Sequence, residues 1–127
     1  IATDLPFSYL HVFPYSPRPG TAALRMKPRV APATMKKRTK TLLDLDCAKR
    51  LAFHNKQIGR TVPVLFENGI HEIYRFGTTP NFTRVAVTDS TDLRNRILPV
   101  TITAASERWS FGHIAAASPM NSAMVLL

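Results

Sequence analysis

The apolar positions change their period once along the chain. Before residue 60 they run unbroken or recur at three- and four-residue steps; from Thr61 they alternate. Residues 5–13 (LPFSYLHVF) are apolar or aromatic on both faces, which predicts a strand covered on both sides, as in a parallel sheet. No earlier segment can pair with it, so it reads as the last strand of a sheet built elsewhere. The chain starts with Ile1 rather than Met, and the expectation is the C-terminal portion of a larger protein. Residues 14–32 hold five of the ten prolines and predict a stiff, ordered loop, with Gly20 supplying a turn. Residues 33–55 predict one helix, opened near Pro32 or Thr34. Met35, Leu42, Leu45, Ala48 (or Lys49), Ala52 and Phe53 form its apolar stripe, and Gly59 is placed to cap its end.

Beyond it, Thr61–Glu67 and Ile70–Phe76 read as a hairpin turned at Asn68-Gly69. Residues 77–81 form a loop and Phe82–Thr88 a third strand, with Val85 and Val87 on one face. After a polar linker at 89–95, Ile97–Thr103 sets Leu98, Val100 and Ile102 on one side, and Arg108–Ala115 is a fifth strand. The resulting fold class is α+β, mainly β. It is a small five-stranded antiparallel barrel of the OB type, preceded by one basic amphipathic helix and a remnant strand. Such a barrel buries little area, so the helix is expected to pack on it. Residues 116–127 show no period and read as a tail or a last strand at Ala123–Leu127.

Charge sharpens the picture. The formal net charge is +9, and residues 18–60 carry 12 Lys and Arg against only Asp44 and Asp46. Residues 61–127 balance five of each sign. Lys36, Lys37, Arg38 and Lys40 crowd the first two turns of the helix, where cations oppose its dipole at a cost of a few tenths of a kcal/mol each, roughly. Local stability does not explain them. A polyanionic partner does, nucleic acid ahead of an anionic membrane; the bland reading is a solvated basic face. A single cysteine, Cys47, precludes an intramolecular disulfide and points to a reducing compartment. No apolar run approaches the ~20 residues that span a bilayer, and the N-terminus lacks signal-peptide character. The default localisation is cytoplasmic.

Three features line up: HVFPYSPRPGT at residues 11–21, a helix opening with Lys36-Lys37-Arg38, and IGRTVPVLFE followed by GTTPNFTRV at residues 58–67 and 77–85. Together they resemble the C-terminal part of the radical-SAM tRNA methylthiotransferases, over residues 4 to about 103. The wording DLPFSYLHVFPYSPRPGTAA is nearest to the branch that methylthiolates threonylcarbamoyladenosine beside the anticodon. The family usually has proline where this chain has Ala22, and nothing is carried over beyond Thr103.

The resemblance implies four parts: 1–32, the last strand and Pro-rich loop of a truncated radical-SAM barrel; 33–59, a basic connecting helix; 60–115, a TRAM β-barrel that holds RNA; and 116–127, a tail. It implies a parent enzyme that cleaves S-adenosylmethionine with a 4Fe-4S cluster, activates a C–H bond of adenine and adds sulfur and methyl. A cluster needs several cysteine thiolates, so this fragment is expected to bind no cofactor and to be inactive alone, with no catalytic residue of its own. The expected partners are tRNA and the missing domains of the same protein, with no membrane; the orphan strand edge also predicts a dimer of the isolated fragment. The alternatives are a free-standing RNA-binding module and a ribosome-associated protein.

The candidate residues fall in three groups. Tyr15, Ser16, Arg18 and Thr21 would lie on the active-site face of the parent barrel, or merely shape a linker. Lys36, Lys37, Arg38 and Lys40 form a phosphate-contacting patch, Arg38 alternatively making a structural ion pair. Arg60, Tyr74, Arg75, Asn81, Phe82 and Arg84 are the barrel's candidate RNA contacts; core packing is the competing role for Tyr74 and Phe82, and a left-handed turn for Asn81. His11, His54, His71 and His113 have no metal-ligand spacing, and Glu67 and Glu72 read as solvated.

Overall fold

The computed structural model describes residues 2–71 and 73–116, with the side chains of 68–71 left aside. The chain forms two compact units, residues 1–52 and 53–127.

In the first unit, residues 5–13 are not a strand. The apolar run was expected to pair in a sheet, but no strand lies beside it among the described residues, and its backbone groups turn to side chains of a helix. That helix, α2, covers Pro32–Asn55. The Leu10 amide donates to the Asp46 carboxylate at 2.6 Å. The Lys49 ammonium donates to the carbonyls of Thr3 and Leu5 at 3.2 and 2.8 Å. Lys49 also sits over the Phe7 ring at 4.6 Å, and Arg50 over the Tyr9 ring at 5.1 Å. The covered side of α2 is therefore partly polar, with Asp46 buried and bonded by Arg50 at 3.0 Å. Leu42, Ala48 and Ala52 of the expected apolar stripe are exposed. The edge that was to drive dimerisation goes with the strand.

The Pro-rich loop contains a short helix not anticipated from its prolines, α1 at Ala22–Arg25. Gly20 makes the expected turn at φ +80°, closed by Thr21, whose hydroxyl donates to the Arg18 carbonyl at 2.9 Å.

The second unit is a closed barrel of β1 (Thr61–His71), β2 (Tyr74–Thr78), β3 (Arg84–Thr88), β4 (Ile97–Ala105) and β5 (Ser110–Ile114), in the order β1-β2-β3-β5-β4. This is the small OB-like barrel that the alternating pattern predicts. Its pairings are antiparallel except β3–β5, which is parallel. An odd number of strands cannot close with antiparallel neighbours throughout, so one pair has to run the same way. Alternation fills the interior: Val64, Phe66, Val85, Val87, Val100 and Ile102 are buried, and Leu93 from the linker joins them.

The first hairpin differs from expectation. β1 continues through Asn68-Gly69, and the hairpin closes at the pair His71↔Tyr74. The register shifts between Phe66↔Gly77 and Ile70↔Arg75, so the extra β1 residues are absorbed in a bulge. Gly77 explains the choice of partner. A Cβ there would meet Val64 Cγ1 at 2.5 Å and the Leu65 carbonyl oxygen at 2.6 Å, so only glycine lets β2 approach β1 this closely. Gly77 and Thr78 thus belong to β2, and Phe82 precedes β3 rather than starting it.

Before β1, Gly59 lies at φ +84°, as a cap after the helix requires. Its amide donates to the Ile102 carbonyl at 2.8 Å, and the Ile102 amide donates to the Arg60 carbonyl at 2.9 Å. This fastens the turn to β4. The expected tail or strand beyond residue 116 lies outside the described residues.

Candidate nucleic-acid interface

Strand parity sets the outer face of β2, β3 and β5. Where Gly77 pairs with Val85 and faces the core, Tyr74, Phe76 and Thr78 face outward with Arg84, Ala86 and Thr88. Ala86 in turn pairs with Phe111. The outward rings form a chain: Phe111 to Tyr74 at 5.8 Å, Tyr74 to Phe76 at 6.4 Å, Phe76 to Trp109 at 5.2 Å. Two guanidinium groups lie on it, Arg84 at 5.0 Å from the Phe76 ring and Arg108 at 5.8 Å from Trp109, inside the range for cation–π attraction. Phe76 is 5% exposed yet stands outside the interior cluster. It is covered on the outer face by its neighbours.

The β4–β5 turn holds Arg108 and Trp109 in place. The Ser106 hydroxyl donates to the Trp109 carbonyl at 2.8 Å and accepts the Trp109 and Arg108 amides at 3.1 and 3.3 Å. The Ser106 carbonyl is joined by Nδ1 of His54 at 2.7 Å. His54 is buried and is fastened to this turn within the second unit.

The loop between β2 and β3 is equally determined. The Thr79 amide donates to the Thr83 carbonyl at 3.0 Å, and the Phe82 amide to the Thr79 carbonyl at 2.9 Å. The Thr79 hydroxyl accepts the Thr83 amide at 2.9 Å. Its own proton lies between the Thr83 carbonyl and Asn81 Oδ1. Phe82 is left at φ +62° with 83% of its surface exposed. The expected left-handed residue of this loop is Phe82, not Asn81. The core role considered for Phe82 is absent, and Tyr74 is half-buried among rings.

The remaining candidates stand as follows. Arg60 donates to Gln57 Oε1 at 3.1 Å, and Arg75, half-buried, to the Thr91 carbonyl at 3.3 Å. Tyr74 and Arg84 both meet Phe76 and so come together, Phe82 lies two positions before Arg84 in the chain, and Arg60 is tied to the helix-end turn. In the other unit, Lys36, Lys37, Arg38 and Lys40 are exposed at the start of α2, where the first turn has no acidic residue. Lys40 pairs with Asp44 at 2.8 Å. Lys36 and Lys40 line an open groove of about 520 Å³ with Pro14, Met35 and Leu43. Tyr15, Ser16, Arg18 and Thr21 are exposed on the Pro-rich loop. Phe76, Arg108, Trp109 and Phe111 were not among the sequence-derived candidates. Part of the signal was present, because Tyr74 and Phe76 share parity and Arg108, Trp109 and Phe111 lie in the predicted strand Arg108–Ala115.

Asp92 and Arg94 form an exposed ion pair on the linker before β4. Hydrogen bonds from the Arg94 side chain and amide lower the Asp92 carboxyl from 3.8 to about 2. Asp89 is also lowered, first by the hydroxyl and then by the amide of Thr91.

Cys47 is the sole cysteine, so this chain's donor set does not fit an iron–sulfur cluster. Among the described residues no group of three or more His, Cys, Asp or Glu is placed to hold a metal. Among the same residues no helix is long and apolar enough to cross a membrane.

The architecture is thus a small OB-like barrel with an arginine-capped aromatic outer face. No family model matches the chain. It is 41% identical over 61 residues to the threonylcarbamoyladenosine tRNA methylthiotransferase MtaB of Aquifex aeolicus (strain VF5), which covers 48% of this chain and 15% of that protein. It is 32% identical over 99 residues to the tRNA-2-methylthio-N(6)-dimethylallyladenosine synthase of Wolbachia pipientis wMel, 76% of this chain and 23% of the relative. A synthase of the same name from Ehrlichia ruminantium (strain Gardel) is 33% identical over 114 residues, 87% and 26% respectively. By these similarities the chain belongs to the tRNA methylthiotransferase family. It spans about a quarter or less of the length of the curated relatives it matches.

Proposed function

We propose that this chain is the tRNA-binding C-terminal segment of a radical-SAM methylthiotransferase, its barrel a TRAM domain. The parent enzyme adds a methylthio group to a modified adenosine next to the anticodon, in the cytoplasm. S-adenosylmethionine and 4Fe-4S clusters supply the radical chemistry in the parent's other domains, and this segment contributes grip rather than catalysis. The four-part division at residues 32, 59 and 115 belongs to the same reading, as does the threonylcarbamoyladenosine branch.

The observation that carries the reading is the outer face of β2, β3 and β5. Arg84 and Arg108 lie over Phe76 and Trp109, which joins positive charge to flat aromatic surface, the combination RNA recognition uses. The basic start of α2 supplies a second set of phosphate contacts. Tyr15, Ser16, Arg18 and Thr21 face the parent's reaction centre. Within the barrel, Tyr74, Asn81 and Phe82 extend the surface with Arg84, and Arg60 and Arg75 add RNA contacts away from that face.

A mobility-shift titration of the 127-residue chain with unmodified tRNA tests it. Affinity is expected to fall as salt rises, by about one log–log unit per neutralised phosphate. Reversing Lys36, Lys37 and Arg38 to glutamate should shallow that slope by about three units if each holds one phosphate. Salt-insensitive binding, or none, refutes the proposal.

A further inference from the structure

Phe82 has two unfavourable features at once. Its ring is 83% exposed, and its backbone sits at φ +62°, a region L-residues seldom occupy. The loop does not hold it there loosely. Thr79 and Thr83, which close the loop, are buried at 6% and 3% exposure, and the hydrogen bonds between them fix both ends. Pro80 restricts φ inside it. The result is an aromatic ring presented to solvent on a preformed mount, a geometry that reduces the ordering entropy lost on binding.

The surroundings select the occupant. Residues 73–88 include Arg75 and Arg84 and no carboxylate, and the chain as a whole is strongly basic. An apolar protein partner has no need of that charge. An unpaired nucleotide has both complements, a flat π-face and a phosphate. In a duplex the base faces are already stacked on each other, so a ring of this kind reads single strands or loops.

We infer that Phe82 is a stacking platform for one unpaired RNA base, with Arg84 supplying the adjacent positive charge. This rests on the RNA-binding reading above and specifies how the barrel engages its ligand. Stacking on an aromatic ring tolerates any base, so this contact favours unpaired over paired RNA without choosing sequence.

The experiment uses the full chain with two labelled probes, a single-stranded oligouridylate of about a dozen nucleotides and a blunt RNA duplex of the same length. Phe82→Ala is expected to weaken single-strand binding about ten-fold, and Phe82→Trp to preserve it. Duplex affinity and the salt slope stay as in the parent chain, because no phosphate contact is removed. The residue is 83% exposed, so circular dichroism should show the same melting behaviour for all three proteins. Unchanged single-strand affinity in Phe82→Ala overturns the inference while leaving RNA binding intact. So does equal weakening on both probes. Phe82-dependent co-sedimentation with phosphatidylglycerol vesicles, without loss on RNA, assigns the ring to a membrane and also overturns it. A parent chain that binds neither RNA probe nor tRNA sinks both readings together.

Discussion

Leu10 and Asp46 are joined across 36 residues by a 2.6 Å hydrogen bond from backbone amide to carboxylate. The bond is charge-assisted and its acceptor is buried, so it is stronger than an ordinary amide–carbonyl pair. Asp46 also receives Arg50 on both oxygens, at 3.2 and 3.0 Å. One carboxylate thus neutralises a helix cation and anchors the extended segment.

Asp46→Ala is therefore expected to release both groups. Leaving a donor without its acceptor costs about 1–3 kcal/mol when it is fully buried, and less for the half-buried Leu10 and Arg50. Hydrogen exchange is the direct readout: the Leu10 amide should lose protection while the barrel amides of β1 and β4 keep theirs. Uniform loss across both units would mean that Asp46 supports the whole chain rather than this segment.

The barrel was legible because its signal is local. Alternation at Val64, Phe66, Val85, Val87, Val100 and Ile102 marks the buried face strand by strand, and each of these is inside. Register was less legible. Asn68-Gly69 is a strong local turn signal, but the pairing is decided by Gly77, which lies in another strand and admits β1 only there. The run at 5–13 misled for a related reason. Apolar residues on both faces satisfy the pattern of a buried strand, yet a strand also needs a neighbour with free backbone groups, and here Asp46 and Lys49 take those bonds. The aromatic face was half visible. Tyr74 and Arg84 stood out by type, but Trp109 and Phe111 reach them only through the β3–β5 pairing that closes the barrel, and no periodicity within one segment encodes that.

The Asp92–Arg94 pair gives a signed pH dependence. The folded carboxyl is held at about 2, below its usual 3.8. A lowered folded value means the native state binds the proton more weakly than the unfolded chain. Its stabilising contribution is complete above pH ~4 and is lost as pH falls toward about 2. Carboxyl NMR titration should place the Asp92 midpoint near 2. Arg94→Ala should move it upward but not fully back, because the residue-94 amide still donates to Asp92 Oδ1, at 3.1 Å in the parent chain. Asp92 lies in solvent, so the effect on melting temperature should be small and should shrink further with added salt. A midpoint at the usual value in the parent chain would remove the pair from the folded state.

Gly77 offers the sharpest test of the barrel's register. Its missing side chain is where β2 comes against Val64 and Leu65, with a virtual Cβ at 2.5 Å from Val64 Cγ1 and 2.6 Å from the Leu65 carbonyl oxygen. The carbonyl belongs to the ladder and cannot swing aside, and Val64 is fully buried in the core. Gly77→Ala must therefore push the two strands apart, and overpacking of this kind costs about 1–3 kcal/mol, occasionally more. Gly59→Ala provides the contrast. A Cβ at Gly59 meets nothing within 4 Å, and its penalty comes only from φ +84°, about 1–2 kcal/mol. Urea unfolding of both variants should show similar or greater loss at Gly77, and pairing a Val64→Ala change with Gly77→Ala should recover part of it only if the clash with Val64 is real. Additive losses in that double variant would show that the β1–β2 register is set by something other than this contact.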